Sequence, residues 1–193
     1  MKAFKPALLF FILFSVLTGL VYPLLITGLC QLIFPDKANG SLIIANGKTV
    51  GSNLVGQSFT SAKYFNGRPS ALEKPYDASN SGASNSGPSN AKFLEEVGKR
   101  IGKVRQDNGL SPERSVPADL VLASASGLDP HISLDGALIQ LPRVARARKL
   151  PEDQVREIVD KLVETPFPRL TGQKIVNVVQ LNLALDALVT GNR

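Results

Sequence analysis

Four residues that lie close together carry the side-chain types of a nucleophilic hydrolase: Ser124, Ser126, Asp129 and His131. A serine hydroxyl that attacks a carbonyl needs an imidazole base within hydrogen-bond reach and a carboxylate to fix the tautomer of that imidazole. His131 is the one histidine of the chain, so it is the one candidate base. Triads are assembled from distant segments, however, and no Gly-x-Ser-x-Gly elbow occurs here. The plainer reading is that Asp129 caps the helix after it and His131 bonds locally. No catalytic residue is assigned.

Gly47-Lys48-Thr49 has the closing triplet of a phosphate loop, but that loop needs a glycine five positions before Gly47, where Leu42 stands. With Asn46 it reads as a hairpin turn instead. One cysteine, Cys30, and one histidine leave neither an intrachain disulfide nor a metal centre with the usual ligand spacing. The net charge is +6, and Lys2 and Lys5 at the extreme N-terminus account for two of those positive charges. The remainder is too mildly and too evenly basic to suggest a nucleic-acid partner.

The richest polar stretch is residues 51–90, crowded with Gly, Ser, Asn and Pro and holding isolated aromatics such as Tyr64 and Tyr76. Composition alone suits a linker. The aromatics, the prolines and a single arginine, Arg68, argue for an ordered loop whose side chains satisfy its own backbone. Tyr64, Arg68, Asp77, Ser84, Asn85 and Asn90 are therefore candidate partner-facing or structural residues, along with Asp129 and His131. Asp77 is the carboxylate best placed by sequence to meet Arg68.

What positions this loop begins with the N-terminus. From Pro6 to Pro35 the chain has no charged residue. As a helix, residues 7–34 would be about 42 Å long, enough to cross a hydrocarbon core of ~30 Å. The apolar run is too long for a cleaved signal and lacks a small-residue cleavage site. Lys2 and Lys5 assign residues 1–6 to the cytoplasm, 7–34 to one membrane helix and 35–193 to a periplasmic domain. Ser15 and Gly19 form a small-xxx-small pair on the span, and Pro23 should perturb the helix midway.

Beyond the span, residues 41–45 and 48–50 read as a hairpin. Ser89 or Asn90 can cap a helix with the stripe Phe93, Leu94, Val97, Ile101 and Val104, stopped at Asn108-Gly109. A short helix is expected over 115–122, and a loop over 126–131. Helices are expected from about 133 to 146, with several arginines at the negative end of its dipole, and again from 150 to Thr165-Pro166-Phe167-Pro168. A strand over 175–179 and a helix over 181–189 complete an irregular α+β fold, since no βαβ series is present.

Several segments in order then resemble one family. They include Tyr64-Phe65-Asn66-Gly67-Arg68-Pro69-Ser70-Ala71, Ser81-Gly82-Ala83-Ser84-Asn85, Gly87-Pro88-Ser89-Asn90, Ser126-Gly127-Leu128-Asp129-Pro130-His131 and Pro142-Arg143-Val144-Ala145-Arg146. The chain is similar along its whole length to the C subunits of bacterial Kdp-type potassium-transporting ATPases. The resemblance implies a non-catalytic accessory subunit of a high-affinity potassium uptake pump in the inner membrane. Its partners would be a channel-like potassium-translocating subunit, a P-type ATPase subunit and a possible small membrane subunit. It also implies a chaperone role that supports ATP binding by the ATPase subunit, and likens Gln180 to a nucleotide-contacting glutamine. No tightly bound cofactor is expected, and ATP would be reached only through the partner. The competing expectations are a membrane-anchored periplasmic hydrolase using Asp129 and His131, and a tethered solute-binding module using residues 64–90.

Overall fold

The computed structural model describes residues 3–45, 47–166 and 172–191. The expectations for Lys2, Asn46, Phe167 and Pro168 lie outside the described residues. The chain separates into two compact units, Met1–Val50 and Gly51–Arg193.

In the first unit a helical run spans Phe4–Ile33, with mean hydropathy 2.4 in its most apolar window and none of that window buried. It is made of α1 (Phe4–Val16), a π turn (Leu17–Val21) and α2 (Tyr22–Ile33). The disturbance expected of Pro23 takes the form of this π turn. A proline ring at position 23 clashes with the carbonyl four residues back and offers it no N–H. The ladder widens before it, and the Tyr22 N–H donates to the Leu17 carbonyl five residues earlier. Thr18 Oγ1 donates to the Phe14 carbonyl at 2.7 Å, hiding its hydroxyl from an apolar surround. One turn of helix, α3 (Pro35–Ala38), and the paired strands β1 (Leu42–Ala45) and β2 (Lys48–Ser52) follow. Gly47 turns the hairpin at φ 73°, a conformation that favours glycine.

The second unit is built on a three-stranded antiparallel sheet in the order β3-β5-β4. These strands are β3 (His131–Ser133), β4 (Val163–Glu164) and β5 (Ile175–Asn177). Ile132 opposes Val176, which opposes Val163 on its other side. Ile132 and Val176 are fully buried, each worth ~1.5–3 kcal/mol by the area it removes from water. Helices α5 (Leu134–Arg148), α6 (Glu152–Lys161) and α7 (Val178–Gly191) close the core with Ala137, Val144, Val155, Val159, Leu181 and Leu185. Helix α4 (Ala91–Asn108) starts where Asn90 Oδ1 accepts the Phe93 N–H and ends at Gly109 with φ 63°, as the sequence predicts. None of its residues is buried; its apolar stripe is only partly covered.

Four local expectations change, the first being the helix expected from 150 to Thr165, which stops at Lys161 so that Val163–Glu164 pair with β5 as a strand. The helix over 115–122 shrinks to a 3-10 turn at Ala118–Leu120, because the Asp119 carboxylate turns away to accept the Ser133 N–H and, at 3.2 Å, the Ser133 hydroxyl. The strand over 175–179 ends at Asn177, whose side chain caps α7 by accepting the N–H groups of Val179 and Gln180. Residues 131–133, split in the sequence reading between a loop and a helix start, form a strand. Strands of two or three residues are too short to show alternation, so only pairing with β5 defines them.

Candidate functional site

The polar stretch is not a linker in this structure; it is latched onto α5 and α7. Phe65 is fully buried, and Tyr64, Phe65 and Asn66 join no strand. Buried backbone groups without partners are costly, so side chains supply them. Asn182 Oδ1 accepts the Phe65 N–H and its Nδ2 donates to the Phe65 carbonyl, both at 2.9 Å. Gln140 repeats the motif at the next residue: Oε1 accepts the Asn66 N–H at 2.8 Å and Nε2 donates to the Asn66 carbonyl at 3.1 Å. Two amide side chains thus stand in for a neighbouring strand. Both are almost wholly buried, at 1% and 2% exposure.

Arginines fasten the flanks. Arg143 donates to the carbonyls of Ala62 and Tyr64 and to Asn66 Oδ1, Gln140 Oε1 and Asn108 Oδ1. Burial lowers its pKa, while Asp107 works the other way. Arg148 donates to the Lys63 carbonyl and to Asp186, lies 5.0 Å over the Tyr64 ring, and shares Asp186 with the Tyr64 hydroxyl. At the sequence level these arginines read only as charges complementing the helix dipole. Two of them are instead clamps on the loop.

A second cluster surrounds Arg68. Its Nη1 donates to Asp129 Oδ2 at 3.1 Å, and its Nη2 donates to the Ala123 carbonyl. The expected Arg68–Asp77 pair is not formed. Asp77 is taken up in its own turn, accepting from Ser79 Oγ and N–H, which lowers its pKa. Asp129 Oδ1 accepts the His131 N–H at 3.0 Å and faces His131 Nδ1 at 3.3 Å. Burial raises the Asp129 pKa, but hydrogen bonds from His131 and Arg68 outweigh it and leave the carboxyl below its ordinary value. Asp129 therefore serves the loop and His131, and Ser133 caps α5 in its place.

Tyr76 closes this cluster over Gly56 and Gly67. Its hydroxyl donates to the Arg68 carbonyl, and its own backbone sits at φ 59°, a strained conformation for a tyrosine. Burial, reinforced by Asp129 and opposed by Arg68, pushes its pKa up to about 12. A methyl group on Gly56 would lie 2.4 Å from the Tyr76 ring and 3.1 Å from the Asp129 carbonyl oxygen. Gly56→Ala is therefore expected to cost about 1–3 kcal/mol, read as a lower unfolding midpoint of the full chain.

The hydrolase constellation does not assemble. Ser124 Oγ accepts the Gly127 N–H at 2.9 Å and Ser126 Oγ accepts the Leu128 N–H at 3.1 Å, so both serines are turn caps. Ser126 and Gly127 carbonyls in turn receive Ser81, Gly82 and Ser70, pinning a further part of the loop. Ser84 and Asn85 stay in exposed chain, Asn85 at φ 51°, and Asn90 is a helix cap. Gln180 lies in the first turn of α7, where its Nε2 donates to Asn53 Oδ1 at 2.9 Å. Asn177 Nδ2 holds the Asn53 carbonyl at the same distance. Ser15 lies in α1 and Gly19 in the π turn, and a methyl group on Gly19 would meet nothing within 4 Å.

Sequence reasoning missed Asn182, Gln140, Asn177 and Asn53. The signal was present: Gln140 and Asn182 interrupt apolar helix faces at Leu138-Ile139-Gln140-Leu141 and Leu181-Asn182-Leu183.

Residues 4–187 match the family described as the K+-transporting ATPase c chain, KdpC. A potassium-transporting ATPase KdpC subunit of Polaromonas naphthalenivorans (strain CJ2) is 53% identical over 186 residues, covering 95% of this chain and 94% of that one. The proteins of the same name from Yersinia enterocolitica and Mycobacterium bovis are each 46% identical, over 188 and 183 residues, and cover 97% and 95% of this chain and 94% and 97% of their own.

Proposed function

The chain belongs to the KdpC family, the c chains of K+-transporting ATPases, and on that premise we propose that it is a non-catalytic subunit supporting ATP use by the hydrolysing subunit from across the membrane. The observation that carries this reading is the extent of the match, which begins in the apolar helix at residue 4 and runs into α7. The partners are then a channel-like subunit for the ion, a P-type subunit for hydrolysis and a small membrane subunit. The Phe4–Ile33 helix is long and apolar enough to be the anchor in the inner membrane.

Lys2 and Lys5 before the uncharged run support an orientation with the N-terminus in the cytoplasm and residues 35–193 in the periplasm. In that orientation Gln180 is on the opposite side from ATP. The subunit then acts by binding one conformation of its partners more tightly than another, which is all that coupling requires. The latched loop, with Tyr64, Arg68, Asp129 and His131 fixed in place, supplies a rigid surface for that purpose. Side-specific labelling tests the orientation. With Cys30→Ser and Lys99→Cys in the full chain, a membrane-impermeant thiol reagent is expected to label intact spheroplasts. Labelling only after the membrane is opened would place the domain in the cytoplasm.

Gln180→Ala and Asn53→Ala remove the same hydrogen bond, which is worth ~1 kcal/mol. Both are expected to lower stability alike and to leave the KM of the complex for ATP equal between them. A rise in KM confined to Gln180→Ala would instead favour direct nucleotide contact. The span offers a separate check. Gly19→Leu fills the open face beside Ser15, where good helix contacts in membranes are worth ~1–2 kcal/mol. Loss of this subunit from the detergent-purified complex is expected, and undiminished occupancy would mean that this face meets lipid.

A further inference from the structure

We propose that the β1–β2 hairpin lays Leu42 and Ile44 into the phospholipid headgroup layer at the C-terminal end of the membrane helix. These two residues of β1 are 53% and 68% exposed, while Ile43 and Ala45, which alternate with them, are partly covered. Successive side chains of a strand point to opposite faces, so the two exposed residues share one face. Strand β1 pairs with β2 in a two-stranded sheet, separate from the three-stranded one. An isolated hairpin with a bare apolar face is marginal in water and gains from a surface to lie on.

The short path from the span to this face singles out lipid as that surface. Asp36 and Lys37 are the first charged residues after Lys5, so they mark where the chain leaves the hydrocarbon core. Lys37 Nζ lies 6.0 Å from the centroid of the Phe34 ring, which keeps its charge beside the end of the apolar run. The chain then turns back instead of climbing away. Asn39 exchanges side-chain hydrogen bonds with Gln31 of α2, at 3.2 and 3.3 Å. The Gly40 N–H donates to the Lys37 carbonyl at 3.1 Å and the Ser41 N–H to the Asp36 carbonyl at 2.8 Å. Gly40 and Ser41 make the reversal with φ of 87° and 48°. Ser41 is therefore held against Asp36, and three further residues carry the chain to Ile44 by ~10 Å at most. The headgroup layer is itself about 5–8 Å deep on each side of the core. All of these residues belong to the same compact unit as the span, so the membrane that holds the span meets this face as well.

The inference rests on Phe4–Ile33 crossing a bilayer, and the test separates the two claims. The chain has no tryptophan, so one introduced residue is the sole indole reporter. Full chains carrying Leu20→Trp, Leu42→Trp, Ile43→Trp or Ile44→Trp are reconstituted into vesicles of phospholipid brominated near either the glycerol or the methyl end of its acyl chains. Leu20→Trp, within the span, is expected to be quenched most by the deep bromines, and its failure to respond would count against the span itself. With that control quenched, Leu42→Trp and Ile44→Trp are expected to lose most of their fluorescence to the shallow bromines, and Ile43→Trp to keep most of its own. No quenching at 42 and 44, or equal quenching at 43 and 44, would overturn the proposal. A second measurement asks the same of the assembled pump. A diazirine amino acid at position 44 is irradiated in complex purified through a partner subunit and returned to vesicles, and phospholipid adducts are expected. A cross-link to another subunit, or no adduct at all, would overturn the proposal.

Discussion

Asn182→Ala is expected to be the most destabilising change outside the apolar core. The truncation deprives the buried Phe65 N–H and carbonyl of their partners at once. Each buried group left unsatisfied costs ~1–3 kcal/mol. In a chain of this size ~1 kcal/mol lowers the unfolding midpoint by about 2–4 °C, so a fall of roughly 10 °C follows. Asn182→Asp keeps the acceptor for the Phe65 N–H but sets a buried carboxylate against the Phe65 carbonyl, and is expected to destabilise at least as much at neutral pH. Calorimetry of the full chain in detergent reads both variants. A midpoint for Asn182→Ala within about 2 °C of the wild type would mean that the loop is not latched through Asn182.

Arg68→Ala is expected to have the next largest effect, through Asp129 rather than Asp77. It removes the ion pair at 3.1 Å and the donors to the Leu122 and Ala123 carbonyls. The pair is about a quarter exposed, so solvent screening holds the loss to ~2 kcal/mol. Arg68→Ala and Asp129→Asn should be non-additive by ~0.5–3 kcal/mol, whereas Asp77→Ala, which loses only its exposed turn with Ser79, should lower the midpoint far less and add independently to Arg68→Ala. The pH dependence follows from the lowered pKa of Asp129. A carboxyl whose pKa is lower folded than unfolded contributes stability above its unfolded value of ~3.9, and that contribution is lost as pH falls through the folded value. Arg68→Ala should therefore shrink the difference in stability between neutral pH and acid. Additive variants, or an unchanged acid profile, would count against the pairing.

The elements that sequence made legible were those whose signal is local. The charge-free run from Pro6 to Pro35 needs no tertiary context to read as a span, and Asn90 and Gly109 mark the ends of α4 by their own chemistry. The order of the polar loop was legible in outline because aromatics and prolines are out of place in a linker. Its fastening was not. Arg68 finds Asp129 across 61 residues, and Phe65 finds Asn182 across 117, while Asp77 is the nearer carboxylate in the chain. Proximity in sequence favoured Asp77, but the Asx turn with Ser79 satisfies that carboxylate locally and withdraws it. Strands β3 and β4 were hidden for a related reason, since two or three residues become a strand only when β5 lies between them.

Whether this subunit supports ATP use by its partners is decided by the KM for ATP in the purified, potassium-stimulated complex with and without this chain. Typical couplings of 1–3 kcal/mol correspond to changes of roughly 5- to 150-fold. Removing the chain is expected to raise the KM for ATP by at least the lower figure, and adding the full chain back is expected to restore it. Adding back Asn182→Ala at a temperature where its loop is released should restore it poorly. A complex without this chain that hydrolyses ATP with unchanged KM and kcat would contradict the proposed role.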